Sequence, residues 1–505
     1  MNVTDARILV NQIGWLPTAP KVAILRQPKG GASYTPGQIQ VVDALSNAVR
    51  WSGTAVQWNG GAVHGLSGDR CWRLDFSALQ TPGTYRLIDT TNGDASATFR
   101  IATNVYTELL RLTTRVFFHQ RANVAKSRRH AGNYAIEADA TRANQDPAAR
   151  SILTPTSDAS ARNVTGGWWD AGDTNKYVTF AEGPVHQLLE AYERRAALFT
   201  DKFGIPESGN GIPDVLSEIK VELDWILKMQ DTDGGVFIKV GVTTPGPGGV
   251  ASPDLDTRPR YYGRKSSAAT LATAGMLAHA AIVLGTVSSW ATYATTLQSA
   301  AVKAWQWTRN NPKTADADPV DIQAGDADRP LDRQNASELV AAIYLYALTS
   351  QQSYHDFVIA KFAETNPPLN PWKDYDFGRY QPHEGQAALY YLALPATRRN
   401  EATASRIQKR FFETCSWGPA YGATKDDPYG VGLAAGDYNW GSNQVVANLS
   451  RINAIAADLA AVSGIAASRV TECRIRAQDA LDYLCGKNPL NLCYFTNLAA
   501  LGLID

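Results

Sequence analysis

The sequence predicts a two-domain chain, a small β-sandwich over residues 1–103 followed by an all-α domain over 104–505. Three observations predict it. The chain has 505 residues, whereas a single hydrophobic core stops growing at about 250–300. Up to Ala102, apolar residues alternate with period two between turn signals. After Asn104 the apolar period changes to that of a helix.

Ile8 and Val10, Val22 and Ile24, Ile39 and Val41, Trp72 with Leu74 and Phe76, Tyr85 and Leu87, and Phe99 and Ile101 have strand spacing. Gly30-Gly31, Pro36-Gly37, Gly60-Gly61, Pro82-Gly83 and Asn92-Gly93 separate them, and each dipeptide favours a turn. Several short strands at such intervals read as a sandwich. In the second part, Ile212, Val215, Leu216, Ile219, Leu223, Ile226 and Leu227 share one helical face, and Pro213 suits a first helical turn. Further helices are expected near 105–127, 181–198, 265–285, 287–309, 335–350, 383–394, 400–413, 440–462 and 468–486. Gly241–Arg260 and Lys313–Arg333 are long connections, and long ordered loops in compact domains tend to carry function. No fixed-period repeat is visible, so a closed toroid of antiparallel helix pairs is expected over a regular solenoid.

Composition narrows the partners. Hydrophobic residues are 44% and charged residues 19% of the chain, which suits a folded globular protein. Lys+Arg and Asp+Glu are both 48, and this balance argues against nucleic acid or an anionic membrane as partner. No run of about 18 apolar residues occurs; Ala269–Gly285 is rich in Ala and Thr and contains His279. Met1 to Val10 lacks a basic stretch leading into an apolar one, so no signal peptide is read here. The five cysteines are odd in number and none is spaced C-x-x-C, which predicts buried thiols rather than a disulfide framework or a thiolate zinc site. The 13 tryptophans are platforms for flat sugar faces where exposed, though most are expected in the core.

The segment from Gly166 to Tyr177 concentrates the chemistry. Asp170 and Asp173 lie three positions apart (173 − 170 = 3) beside Trp168 and Trp169, with Gly172 between them. Two such carboxylates can orient one water, one of them accepting its proton. Beside aromatic platforms this suits glycoside hydrolysis, in which a base activates water on the far side of the sugar from a protonated acid. The competing reading is that Asp173 caps the helix that contains Tyr177.

The segment resembles the GGW-x-DAGD signature of glycoside hydrolase family 9, the inverting cellulases. Other blocks follow in the family's order. They are Glu207 to Asp214 running on through Trp225 to Gln230 and Gly234-Gly235-Val236, then Pro253-Asp254 to Tyr261 with Ser266 to Thr270, then Tyr438 to Asn443, and last Asp482 to Leu484 with Gly486 to Pro489. The opening Ile8 to Trp15 is similar to the immunoglobulin-like module that precedes the catalytic domain in one branch. The resemblance implies an immunoglobulin-like β-sandwich bracing an (α/α)6 barrel, and endo-acting hydrolysis of β-1,4-glucan with inversion. It gives Asp173 the role of general base and Asp170 that of holding the water. Trp168, Trp169, Tyr177 and Trp440 become substrate-binding or cleft-supporting residues, with packing beneath the loop an equal reading for Trp169. The partner is then β-1,4-glucan or cello-oligosaccharide, without nucleic acid or membrane, for a monomer or weak dimer. Such an enzyme is expected outside the cell.

Departures from the family pattern set further expectations. The family's proton-donor glutamate follows the Asn-Pro block, and here no Glu follows Glu472; the barrel is expected to lack its last helix and its acid. The region His119 to His130, where relatives carry a zinc site, has no Cys, and His119 reads as a helix-face residue. No cofactor is required. Structural calcium is open at Ser337-Glu338, with Asn335 nearby, where the family often has an Asp-Glu pair; a helix N-cap is the alternative. An acidic loop with Asp316, Asp318, Asp321, Asp326 and Asp328 reads as solvated, and His383-Glu384 as a capping or surface pair. Two other functions compete: a truncated chain that binds glucan with little turnover, and an exo-acting glycosidase on cello-oligosaccharides or glucosamine oligomers.

Overall fold

A computed structural model describes residues 5–136, 145–171, 174–243, 255–315, 318, 322, 325–373, 377–417, 427–459 and 466–496. Two compact units divide the chain. Met1–Glu108, Asp374–Tyr380 and Ser405–Asp505 make one; Leu109–Lys373 and Gln381–Ala404 make the other.

The first unit opens with nine strands: β1 (Ile8–Leu9), β2 (Gly14–Trp15), β3 (Val22–Gln27), β4 (Gln38–Asp43), β5 (Val49–Thr54), β6 (Val56–Gln57), β7 (Arg70–Asp75), β8 (Gly83–Asp89) and β9 (Phe99–Ile101). They form two sheets, ordered β1-β3-β7-β6 and β2-β9-β8-β4-β5. Trp15 lies between them, edge-on to Phe76 at 5.2 Å and to Phe99 at 5.0 Å. The expected sandwich is therefore present. In β3 the alternation is masked, because Ala23, Ile24, Leu25 and Arg26 are all buried. Ala23 and Leu25 face the sandwich core. Ile24, with Leu9 and Cys71, faces a second core made with Tyr429, Val446, Leu449, Tyr483 and Leu484. A sheet covered on both faces loses its polar side.

That second core rests on α10 (Ser442–Asp458) and α11 (Ala467–Leu484). Polar ties reinforce it. Asn11 donates to Asp482 at 2.8 Å and the Trp15 indole N–H donates to the other Asp482 oxygen at 3.1 Å. Arg73 pairs with Asp479 at 2.9 Å. Asn11 also accepts from the Ile13 and Gly14 N–H groups at 3.0 and 2.9 Å, closing a turn. At Gly14 φ is +120°, and a Cβ would stand 1.9 Å from the Arg100 carbonyl oxygen, so only glycine fits. This accounts for the Asn-Gln-Ile-Gly-Trp run.

The second unit is helical: α1 (Thr107–Gln120), α2 (Val178–Arg195), α3 (Asp214–Met229), α4 (Ser267–Leu284), α5 (Ala291–Asn310), α6 (Leu331–Thr349), α7 (Gln352–Ala363) and α8 (Pro382–Ala393). Helix α9 (Glu401–Trp417) runs across the boundary between the units. Helices α2, α4, α6 and α8 pack on one another in the middle, with α3 against α2, α5 against α4 and α7 against α6. This inner-and-outer pairing is the arrangement of an (α/α)6 barrel. Every residue of α4 except Ile282 is buried, because neighbours surround it, so its apolar character has no stripe. Short strands the sequence did not signal join the connections: β10 (Arg150–Ser151), β11 (Lys176–Tyr177), β13 (Lys239–Gly241) and β14 (Tyr261–Tyr262) form one sheet, and β12 (Val236–Phe237) pairs with β15 (Lys265–Ser266).

Candidate active site

The loop that carries the paired aspartates is fastened from three sides within the helical unit. Helix α3 presents Glu218 and Glu222, one turn apart, on the flank of its apolar stripe. Glu222 accepts from the Trp168 backbone N–H at 2.7 Å, and Glu218 accepts from the Trp168 indole at 2.9 Å. Arg121 holds Glu218 at 2.8 Å and Glu207 at 2.9 Å. The end of α1 supplies backbone bonds, since Gly167 accepts from Ala122 N–H and Trp169 N–H donates to Gln120, each at 2.8 Å. Gly167 has φ +77°, and a Cβ there would lie 2.7 Å from the Trp225 ring. Glycine thus lets the loop lie against α3.

The third attachment is a buried charge cluster. The Lys176 ammonium donates to the Val164 and Gly166 carbonyls at 2.7 and 2.8 Å and pairs with Asp146 at 2.8 Å. Arg260 pairs with the other Asp146 oxygen at 3.0 Å and donates to the Thr174 hydroxyl at 2.6 Å and to its carbonyl. The Thr174 hydroxyl donates to Asp256 at 2.8 Å. Burial alone would raise the Asp146 carboxyl, but the Arg260 and Lys176 charges outweigh it and hold it below its ordinary value.

These contacts bring Trp168, Trp169, Asp170 and Tyr177 to one cavity of 170 Å³, together with Phe117, Phe180 and Glu222. Asp170 is exposed, and its N–H donates to the Asn175 carbonyl at 3.1 Å. Gly172 and Asp173 lie outside the described residues. Trp168, Trp169 and Tyr177 are only 7%, 4% and 4% exposed, so they line the cavity mainly as walls. Trp169 lies under the Lys126 ammonium, 4.5 Å from its ring centre, and Tyr177 stacks on Phe180 at 4.5 Å. Trp440, in the other unit, is 98% exposed.

Glu222 was not singled out by the sequence, although a carboxylate flanking a buried stripe needs donors. Burial pushes its carboxyl up to about 8, with Glu218 adding to the rise and the Trp168 N–H and Lys176 opposing it. The folded chain therefore keeps this proton at neutral pH while the unfolded chain releases it near 4.5. Stability should fall as pH rises between these values, by about 1.4 kcal/mol per unit for this group. Glu222→Gln keeps an acceptor for Trp168 and removes the titration. It should be more stable than the parent by about 3 kcal/mol at pH 7 and equal to it near pH 4, with a correspondingly higher melting temperature at the neutral end. Thermal melts across that range check this, and parallel curves would contradict it.

Two expectations change. His383 and Glu384 are buried rather than at the surface, 3% and 2% exposed, because α8 enters the middle of the unit. Glu384 accepts from the Asn370 N–H at 2.5 Å and pairs with Arg333 at 3.2 Å; burial lifts it to about 7. The calcium reading at Ser337-Glu338 does not fit either. Lys313 takes the Asn335 side-chain oxygen at 2.6 Å and Glu338 at 2.5 Å, and Arg309 pairs with the remaining Glu338 oxygen. The Ser337 hydroxyl donates to Glu182 at 3.2 Å. Ammonium and guanidinium groups already satisfy the donor set a hard cation would use. In the acidic loop, Asp318 pairs with Lys239 at 2.8 Å, buried. Asp316 and Asp321 lie outside the described residues. Among the described residues, no three His, Cys, Asp or Glu side chains gather as a metal site.

A cellodextrinase of Butyrivibrio fibrisolvens is 27% identical over 512 residues, 97% of this chain and 84% of its own length. Endoglucanase C of Cellulomonas fimi is 29% identical over 524 residues, 98% of this chain and 44% of its own. The crystal structure of a metagenome-derived glycoside hydrolase family 9 endoglucanase superimposes with a TM-score of 0.82 at 29% identity, covering 99% of this chain and 89% of that one. Residues 3–94 match the cellulase N-terminal immunoglobulin-like domain, and residues 106–501 match glycosyl hydrolase family 9. The chain belongs to glycosyl hydrolase family 9 and carries that family's immunoglobulin-like domain ahead of its helical one.

Proposed function

We propose that this chain is an endo-acting β-1,4-glucanase that inverts the anomeric centre, with Asp173 as general base and Asp170 holding the attacking water. The observation that carries the reading is the fastened loop, which sets Asp170 at the mouth of an aromatic-walled cavity in a family 9 chain. Inversion requires water on the face of the sugar opposite the leaving oxygen. Asp170, exposed at the cavity, can accept one hydrogen bond from that water while Asp173 takes its proton; the leaving oxygen must take its proton from another group, since no Glu follows Glu472 in this sequence. Trp168, Trp169 and Tyr177 then shape the site from beneath the sugar, and Trp440 offers a solvent-exposed indole for stacking.

A second reading is exo-action on short cello-oligosaccharides, and the similarity to a cellodextrinase favours it. The test is hydrolysis of carboxymethylcellulose, following viscosity and reducing ends together, beside cellotetraose. Early loss of viscosity is expected of an endo-acting enzyme. Release of short sugars with viscosity unchanged would support the second reading. Binding of cellotetraose without turnover of either substrate would overturn both.

A further inference from the structure

We infer that Cys485 and Cys493 are a disulfide site, closing the turn between them into a covalent loop. The inference stands apart from the proposed activity. The two residues face each other across an antiparallel bridge. Tyr494 N–H donates to the Leu484 carbonyl at 2.8 Å, and this bond just outside the pair places it at a non-hydrogen-bonded position. There Cα atoms lie about 4.5 Å apart with side chains close together, within the about 4.4–6.8 Å that a disulfide spans. The side chains meet accordingly, since the Cys485 thiol is hydrogen-bonded to Cys493. Both residues are buried, 0% and 2% exposed. The structure holds both as buried free thiols, as the cysteine count and spacing predict; on oxidation this pair joins.

The turn is already fixed in the shape the bond needs. The Asn488 side chain donates to the Tyr483 and Leu492 carbonyls, each at 2.7 Å, and accepts from the Leu490 and Leu492 N–H groups at 3.1 and 3.3 Å. Gln12 reaches the turn from the sandwich: its N–H donates to the Cys485 carbonyl at 2.9 Å and its amide to the Asn491 carbonyl at 2.9 Å. Lys487, fully buried, pairs with Asp479 and lies 3.5 Å from Asp482. The bond would therefore lock the point where α11, the turn and the sandwich meet within one unit.

The chemistry is thiol–disulfide exchange with a low-molecular-weight disulfide such as oxidised glutathione. A thiolate attacks it, giving a mixed disulfide and one released thiol; the second cysteine then displaces the other half. One S–S bond forms in the protein, one breaks in the oxidant, and two protons and two electrons pass to the two released thiols. Burial raises the Cys485 thiol well above its ordinary value, so exchange belongs to the open turn during folding, and the closed turn then shields the product.

The test refolds the full chain from guanidinium chloride in oxidised and reduced glutathione, then alkylates it under denaturing, non-reducing conditions. The expected product is lighter by two hydrogens before alkylation, leaves Cys485 and Cys493 unmodified, and yields one cross-linked peptide joining them. Reduction should lower the melting temperature by about 3–6 °C. That sensitivity should vanish in Cys485→Ala, which loses the bond but little volume, and in Cys493→Ser. Alkylation of both cysteines in the oxidised parent, or a cross-link from either to Cys71 or Cys473, would overturn the assignment.

Discussion

Asp173→Asn should lower kcat on carboxymethylcellulose by about 10²–10⁴-fold, the usual worth of a positioned proton acceptor. Binding of cellotetraose and the melting temperature should change little. Asp170 is tied to Asn175, and Thr174 is gripped by Arg260 and Asp256. Asparagine is isosteric with aspartate, and these flanking contacts give the fold little reason to change. Asp170→Asn should cost less, since an amide oxygen still accepts a hydrogen bond from water. If Asp173 merely capped the following helix, the variant would lose about 1 kcal/mol of stability and keep its turnover. An unchanged kcat would remove Asp173 from the role of base.

How far the sequence could carry this reading depends on the range of each interaction. The sandwich was legible because Trp72, Leu74 and Phe76 alternate, and most long helices because their apolar period is intact. Strand β5 was missed although Val49 and Trp51 alternate with Arg50 and Ser52, because so short an alternation on a mostly exposed edge strand gives little signal. Helix α7 was missed because only Ser350, in the left-handed region at φ +59°, and Gln351 separate it from α6. The loop signature was legible, but its support was not. Asp146 and Arg260 are 114 positions apart, and no local pattern announces that they share one carboxylate bond. The same holds for Glu384, whose burial depends on Asn370 and Arg333. Sequence spacing locates groups that act within a turn or two. Groups that meet through the fold become visible only when the helices are assembled.

Lys176→Met tests whether that assembled support matters to the chemistry. The ammonium is fully buried and satisfies two loop carbonyls and one oxygen of Asp146. Methionine fills similar space but leaves both carbonyls without this donor and the buried carboxylate with Arg260 alone. Removing one partner from a buried ion pair costs about 3–5 kcal/mol, and chemical denaturation should read a loss of that order at pH 7. The loss should shrink in acid. Asp146 is held below its ordinary value in the folded chain, so its pairing contributes above the unfolded-state value and fades as pH falls through the folded one. Protonated Asp146 no longer needs the lysine, so the gap should narrow there to what the two carbonyl hydrogen bonds contribute. Activity should fall by about tenfold to a hundredfold, because the Val164 and Gly166 carbonyls released are those that lead into Trp168 and Asp170. Lys176→Arg, which restores charge without the shape, should recover stability more than turnover. If Lys176→Met lost stability with kcat intact, the grip of Glu218 and Glu222 on Trp168 would by itself be enough to place the loop that carries Asp170.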